Sequence, residues 1–245
     1  EMSASLVGSE MCIRDSMTGF RFKQFEILQD RCAMKVGTDG VLLGAWASGG
    51  TRILDIGCGT GLIALMMAQR FPAAQVVGID IDEEACGQAR ENVAVSPFGD
   101  RIDVAHCRLQ DYSGEEFDAI VSNPPFFLNS LKNPDSKRAM ARHADTLPFR
   151  DLWQGVKRLL SENGIFSVVL PSDVKENFVS EACMSGFYIV RQCAVKTIER
   201  KQPKRYLLAF SRHRNGELEN ATEIMMNQDG NRSEWYAKIT DEFYL

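Results

Sequence analysis

The chain predicts a doubly wound α/β fold, a seven-stranded and mostly parallel sheet with one antiparallel strand and helices on both faces. Three observations predict it. From Ile53 onward, short apolar runs alternate with helical patterns, the rhythm of consecutive βαβ units. The connections are short, and right-handed crossovers then lay sequential strands side by side. The last two apolar runs, 187–195 and 205–211, leave no room for a helix between them, so they form an antiparallel hairpin at the sheet edge.

The elements follow in order. Phe20, Phe22, Phe25, Ile27 and Leu28 predict a short hairpin or extended segment, followed by Thr38-Asp39-Gly40 and a helix over 41–46 that Asp39 caps. The first sheet strand covers 52–56. The apolar helix that follows, with Leu62, Ile63, Leu65, Met66 and Met67, stops near Phe71-Pro72, because proline cannot continue it. A second strand over 75–79 ends at Asp80 and leads into a helix over 82–95. Further strands are expected at 102–105, 117–122 and 164–170, with helices at 149–160 and 173–185. The connection 127–148 is conspicuously long and lacks periodicity, and a long loop in a compact domain is more often functional than idle. After Asn215 the pattern weakens, and Trp235, Tyr236, Phe243 and Tyr244 predict a terminal segment that docks.

Composition bounds the function classes. With 245 residues, 44% of them hydrophobic, the chain can bury one sizeable core. No apolar stretch approaches the roughly 20 residues that span a bilayer. Seven scattered cysteines without a C-x-x-C pair, and only three histidines, argue against a structural metal and suit a reduced cytoplasm. A formal net charge of −5, or −3 without residues 1–16, argues against a protein that coats nucleic acid indiscriminately, while leaving room for a local basic face. Residues 1–16 have neither the basic start nor the long apolar core of a signal peptide, and Met17 reads as the natural initiator.

Two motifs carry the chemistry. Asp55-Ile56-Gly57-Cys58-Gly59-Thr60-Gly61 follows the first strand and opens a helix, and its glycines let the backbone turn tightly against a ligand. Those glycines fall at relative positions one, three and five; a dinucleotide fingerprint needs one, three and six, where Leu62 stands, and a P-loop needs a Gly-Lys-Ser/Thr that does not follow. Asp80, at the end of the second strand, is placed to accept hydrogen bonds from both hydroxyls of a ribose, with a helix cap or a surface acid as its bland reading. Asp111 reads either as an adenine contact or as a turn acid. The second motif, Asn123-Pro124-Pro125-Phe126, ends the strand 117–122, where open α/β sheets place their ligands. The Asn123 side-chain oxygen and the Pro124 carbonyl are two acceptors suited to one planar NH2 group. The prolines stiffen the turn, and Phe126 offers a face for stacking a base. As an isolated tetrapeptide it reads equally as a strand-ending loop.

The ordered set of glycine loop, Asp80, Asp111 and Asn123–Phe126 resembles the class I, Rossmann-like S-adenosyl-L-methionine-dependent methyltransferases that act on exocyclic or amide nitrogens. A closer resemblance, carried by 22–25, 34–46, 141–144 and Lys204-Arg205, is to the bacterial tRNA (adenine-N6)-methyltransferases that modify the adenosine 3′ of the anticodon in a valine tRNA. It implies S-adenosyl-L-methionine as cofactor, held by Lys35, Thr38, Asp39, Asp55, Gly57, Cys58, Gly59, Gly61, Asp80, Ile81, Asp111 and Asn123. It implies Asn123, Pro124, Pro125 and Phe126 as the catalytic group, with no metal. A tRNA anticodon loop would meet Lys132, Lys137, Arg138, Arg142, His143, Lys201, Lys204 and Arg205. The implied organisation is a foreign extension at 1–16, an N-terminal segment at the cofactor site over 17–50, the methyltransferase domain at 51–214 and a docking segment at 215–245, in a cytoplasmic protein expected to be monomeric. Methylation of a protein glutamine or of a ribosomal guanine N2, and an inactive cofactor-binding subunit, are the competing readings.

Overall fold

The computed structural model describes residues 19–32, 35–125, 147–214 and 216–245. Phe126, Lys132, Lys137, Arg138, Arg142 and His143 lie outside them.

An antiparallel hairpin, β1 (Gly19–Arg21) and β2 (Glu26–Leu28), precedes helix α1 (Thr38–Trp46). Then come β3 (Arg52–Ile56), α2 (Leu62–Arg70), β4 (Gln75–Asp80), α3 (Glu83–Ala94), β5 (Ile102–His106) and β6 (Phe117–Ser122). The second half runs α4 (Phe149–Leu159), β7 (Leu160–Pro171), α5 (Lys175–Met184), β8 (Tyr188–Lys196), β9 (Arg205–Ser211), β10 (Glu219–Ile224) and α6 (Glu234–Thr240). The sheet order is β10-β8-β9-β7-β6-β3-β4-β5, and β9 alone runs against its neighbours. All seven strands read from the sequence are present, with the one reversal expected. An eighth, β10, pairs in parallel with the edge of β8.

The strands bury both faces. On one side, α1, α2, the N-terminal hairpin and the segment around α6 share a core built on Phe22, Ile27, Leu42, Leu65, Met66 and Phe243. On the other, Trp153 of α4 is fully buried, and its ring lies 4.9–5.2 Å from those of Phe166, Phe178, Phe187 and Phe210. Apolar side chains facing both ways from the parallel strands are the reason these strands read as continuous apolar runs. Among the described residues no helix is long and apolar enough to cross a membrane.

Helix α1 is fastened at both ends. Arg70 donates to the carbonyls of Gly44 and Ala47 at 2.9 and 2.8 Å, and Arg191, stacked on the Trp46 ring, donates to the Trp46 carbonyl. Cations suit the carbonyl end of a helix. At the other end Gly37 occupies the N-cap position and no side chain caps the helix, so Asp39 is not the cap. Asp39 lies in the first turn, its carboxylate 2.9 Å from the Arg205 guanidinium of β9.

Candidate active site

The carboxyl ends of β3, β4 and β6 meet at one rim. Gly57, Gly59 and Gly61 have φ of 72°, 53° and 82°, the left-handed region that L side chains avoid. The loop hooks over the end of β4: the Gly57 and Cys58 N–H groups both donate to the Ile79 carbonyl, at 2.8 and 3.0 Å. A Cβ built on Gly57 would meet nothing within 4 Å, so the backbone there faces open space.

Asp80 braces this loop. One carboxylate oxygen accepts the Gly59 N–H at 2.8 Å and the other accepts the Asp82 N–H at 3.0 Å. The capping reading of Asp80 fails, because Asp82 caps α3 by accepting from Glu84 and Ala85. Each Asp80 oxygen keeps acceptor capacity for a ligand hydroxyl. Ile81, next in sequence, is 47% exposed, an apolar side chain beside that carboxylate. Asp111 is exposed on the turn after β5, where its N–H donates to the Arg108 carbonyl.

Asp55 is fully buried at the start of the glycine loop. Its Oδ2 accepts the Ala64 N–H at 3.1 Å, while Oδ1 has no hydrogen-bond partner. Burial pushes its pKa up to about 7, against the pull of the Ala64 N–H and with help from the Asp80 charge. Burial, with Asp55 and Asp80 nearby, likewise raises the Cys58 thiol well above its usual range, so Cys58 stays protonated and contributes backbone rather than a nucleophile.

At the end of β6, Pro124 is buried, Asn123 half-buried and Pro125 exposed. The buried Ser122 hydroxyl donates to the Ile56 carbonyl at 2.8 Å, tying the end of β6 to the end of β3. The Gly40 position of α1 adjoins this turn: a Cβ there would come 4.0 Å from the Asn123 amide and 3.1 Å from Leu62. Thr38 and Asp39 are half-buried in the same helical turn, and Lys35 is exposed before it.

The structure thus brings Asp55, the three glycines, Asp80 and Asn123 to one rim with the first turn of α1. Arg205 is engaged with Asp39 instead of standing free at the surface, whereas Lys201 and Lys204 are exposed in the bend before it. Sequence reading overlooked Ser122, Gln88 and Asn92. The last two are polar residues four apart on the apolar face of α3, and that mismatch is the signal that finds them. A separate open groove of about 550 Å³, lined by Trp46, Arg191, Trp235 and Ile239, lies at the middle of β8 and the start of β10. Strands β9 and β7 stand between it and β6, so it is not part of this rim.

The donors and acceptors fit S-adenosylmethionine. The orphaned Asp55 oxygen suits an ammonium, the bare glycine backbone admits a close ligand and Asp80 suits a ribose. Residues 37–191 match the family model described as "Methyltransferase small domain". The chain is 50% identical over 232 residues to a tRNA1(Val) (adenine(37)-N6)-methyltransferase of Bacteroides thetaiotaomicron, covering 92% of this chain and 97% of that one. It is 42% identical to the protein of the same name from Aeromonas hydrophila, covering 93% and 98%. Among solved structures, a predicted O-methyltransferase from Agrobacterium tumefaciens matches 84% of this chain and 96% of its own with a TM-score of 0.67 at 18% identity, a likeness of fold. The chain belongs to the methyltransferase small-domain family and, within it, to the tRNA1(Val) (adenine(37)-N6)-methyltransferases.

Proposed function

We propose that the enzyme methylates N6 of the adenosine 3′ of the anticodon in a tRNA, a valine tRNA on the likeness to its relatives. The observation that carries the reading is the placement of Asn123 and Pro124 at the end of β6, fastened by Ser122 to the end of β3, from which the glycine loop springs. When bound, S-adenosylmethionine supplies an electrophilic methyl group on a positively charged sulfur.

The chain's own residues do the rest. An aromatic amine is a poor nucleophile because its lone pair is shared with the ring. The Asn123 side-chain oxygen and the Pro124 carbonyl, each accepting one N–H, turn that lone pair out of the ring plane and stabilise the charge that develops on nitrogen. No base need remove a proton first, since the methylated cation gives its proton to water afterwards. Holding the reacting atoms in near-attack geometry is worth up to about 7–11 kcal/mol in favourable cases, and the rigid Pro-Pro turn serves that purpose. Extruding a base from an anticodon loop costs less than from a duplex. Lys201 and Lys204 supply phosphate contacts at the pocket mouth, and a tRNA substrate sets the work in the cytoplasm.

Mass spectrometry of nucleosides from valine tRNA incubated with enzyme and labelled cofactor tests this reading. N6-methyladenosine 3′ of the anticodon is the expected product. Label in a protein glutamine, in ribosomal guanine or in nothing at all would overturn it.

A further inference from the structure

Helix α3 carries two amide side chains, Gln88 and Asn92, that are fully buried beside Ala85, Ala89 and Val93. Buried amides persist where their hydrogen bonds are made, and these are. Asn92 Oδ1 accepts the Leu28 N–H at 2.8 Å, and its Nδ2 donates to the Leu28 carbonyl and to the Thr60 carbonyl, both at 2.9 Å. Paired bonds to the N–H and C=O of one residue are what an adjacent β-strand makes. Asn92 therefore stands in for a strand edge where β2 ends. One helical turn earlier Gln88 holds the next residues of the same segment, accepting the Arg31 N–H at 2.8 Å and donating to the Asp30 carboxylate at 3.1 Å. The Arg31 guanidinium pairs with Glu91. Buried Gln29 accepts the Val36 N–H at 2.8 Å.

Residues 28–32 are thus fastened along α3 and delivered onto the glycine loop. The Cys32 sulfur lies 3.9 Å from the position of a Cβ on Gly59, whose N–H is held by Asp80. Asn92 is bonded both to this segment and, through Thr60, to the loop itself.

We propose that Asn92 is a positioning residue for the cofactor site, locking the N-terminal segment against the glycine loop so that the two present one binding surface, with Gln88 fixing the far end of the segment. This rests on the S-adenosylmethionine reading of the site. Calorimetric titration of S-adenosylmethionine into the wild-type protein tests that reading separately, since absence of binding there sinks the cofactor assignment itself.

Given wild-type binding, Asn92→Ala should weaken cofactor affinity and raise the cofactor KM about tenfold, part of the weight of the three hydrogen bonds that the substitution removes. Its kcat at saturating cofactor should stay within about twofold, because the Asn123 turn is untouched. Hydrogen exchange at the Leu28 and Arg31 amides should quicken in the variant and slow in the wild type when cofactor binds. A merely structural residue would lower kcat with the active fraction and leave KM alone, and that result, or wild-type affinity in the folded variant, overturns the proposal. Should Asn92→Ala fail to fold, Gln88→Ala decides in its place: about threefold weaker binding supports the role and unchanged binding refutes it.

Discussion

In the proposed reaction, one acceptor oxygen on Asn123 is what directs the methyl group to an amino nitrogen. Asn123→Ala should lower turnover at least about 100-fold, the scale on which loss of one group that stabilises transition-state charge is felt. Cofactor affinity, measured by calorimetry, should change less than about threefold; comparable losses in both would refute the role. Asp55 poses the opposite problem, a carboxyl whose solvation is lost. Its folded pKa of about 7 stands above its ordinary 3.8, so the folded state binds the extra proton between those values. Stability contributed at low pH is therefore lost as pH rises from about 4 to about 7, by roughly 4 kcal/mol in all. Asp55→Asn should remove that slope and raise the Tm of the cofactor-free protein at pH 8, as thermal melts across pH will show. In the proposed cofactor complex an ammonium held by ionised Asp55 would reverse the preference. Wild-type cofactor affinity should rise between about pH 6 and 7.5, and the Asn variant should flatten that rise. The place of Asp80 at the end of β4 was legible from spacing, because a glycine loop and a strand length fix where the second strand ends. Arg205 was not legible: sequence shows a basic residue in a basic run, and only the fold shows Asp39 facing it.

At the scale of elements, the caps and strands divide by how much side chain they use. Asp82 accepts two N–H groups at the start of α3, and Asp82→Ala should cost about 1 kcal/mol, lowering Tm by about 2–4 °C in a calorimetric scan. A stronger effect, reaching cofactor binding, would mean that the cap also sets the position of Asp80 two residues away. Strands β3, β6 and β9 were readable to the residue because both their faces are buried and their apolar runs begin and end with the strand. Strand β7 starts four residues earlier than its apolar run: Leu160 pairs with Phe117, and a register shift then passes over Ser161, Glu162, Asn163 and Gly164 before Ile165 pairs with Ala119, so no apolar period marks that start. Strand β10 was invisible because it lacks an apolar period altogether. Glu219-Asn220-Ala221-Thr222 is exposed throughout and is held by backbone pairing to β8, which leaves no hydrophobic period to read.

For the molecule as a whole, a net charge of −5 means that tRNA must be met by local charge. Replacing Lys201 and Lys204 together by alanine should weaken tRNA binding severalfold and lower the salt slope by up to about 2, while cofactor affinity holds. Filter binding across a salt series reads both; an unchanged slope would remove these lysines from the RNA face. Strand β9 gives this surface a topological origin. Because it runs against its neighbours, it enters the sheet where they leave it, so Arg205 pairs with Pro171 at the end of β7. The bend that precedes β9 is thereby delivered to the same rim as the loops that follow the parallel strands. In an all-parallel sheet that bend would hang from the opposite edge. On the proposed reading, a change in its length or charge would retune the choice of RNA while the glycine loop, built three and four strands away in the chain's first half, would keep its cofactor affinity.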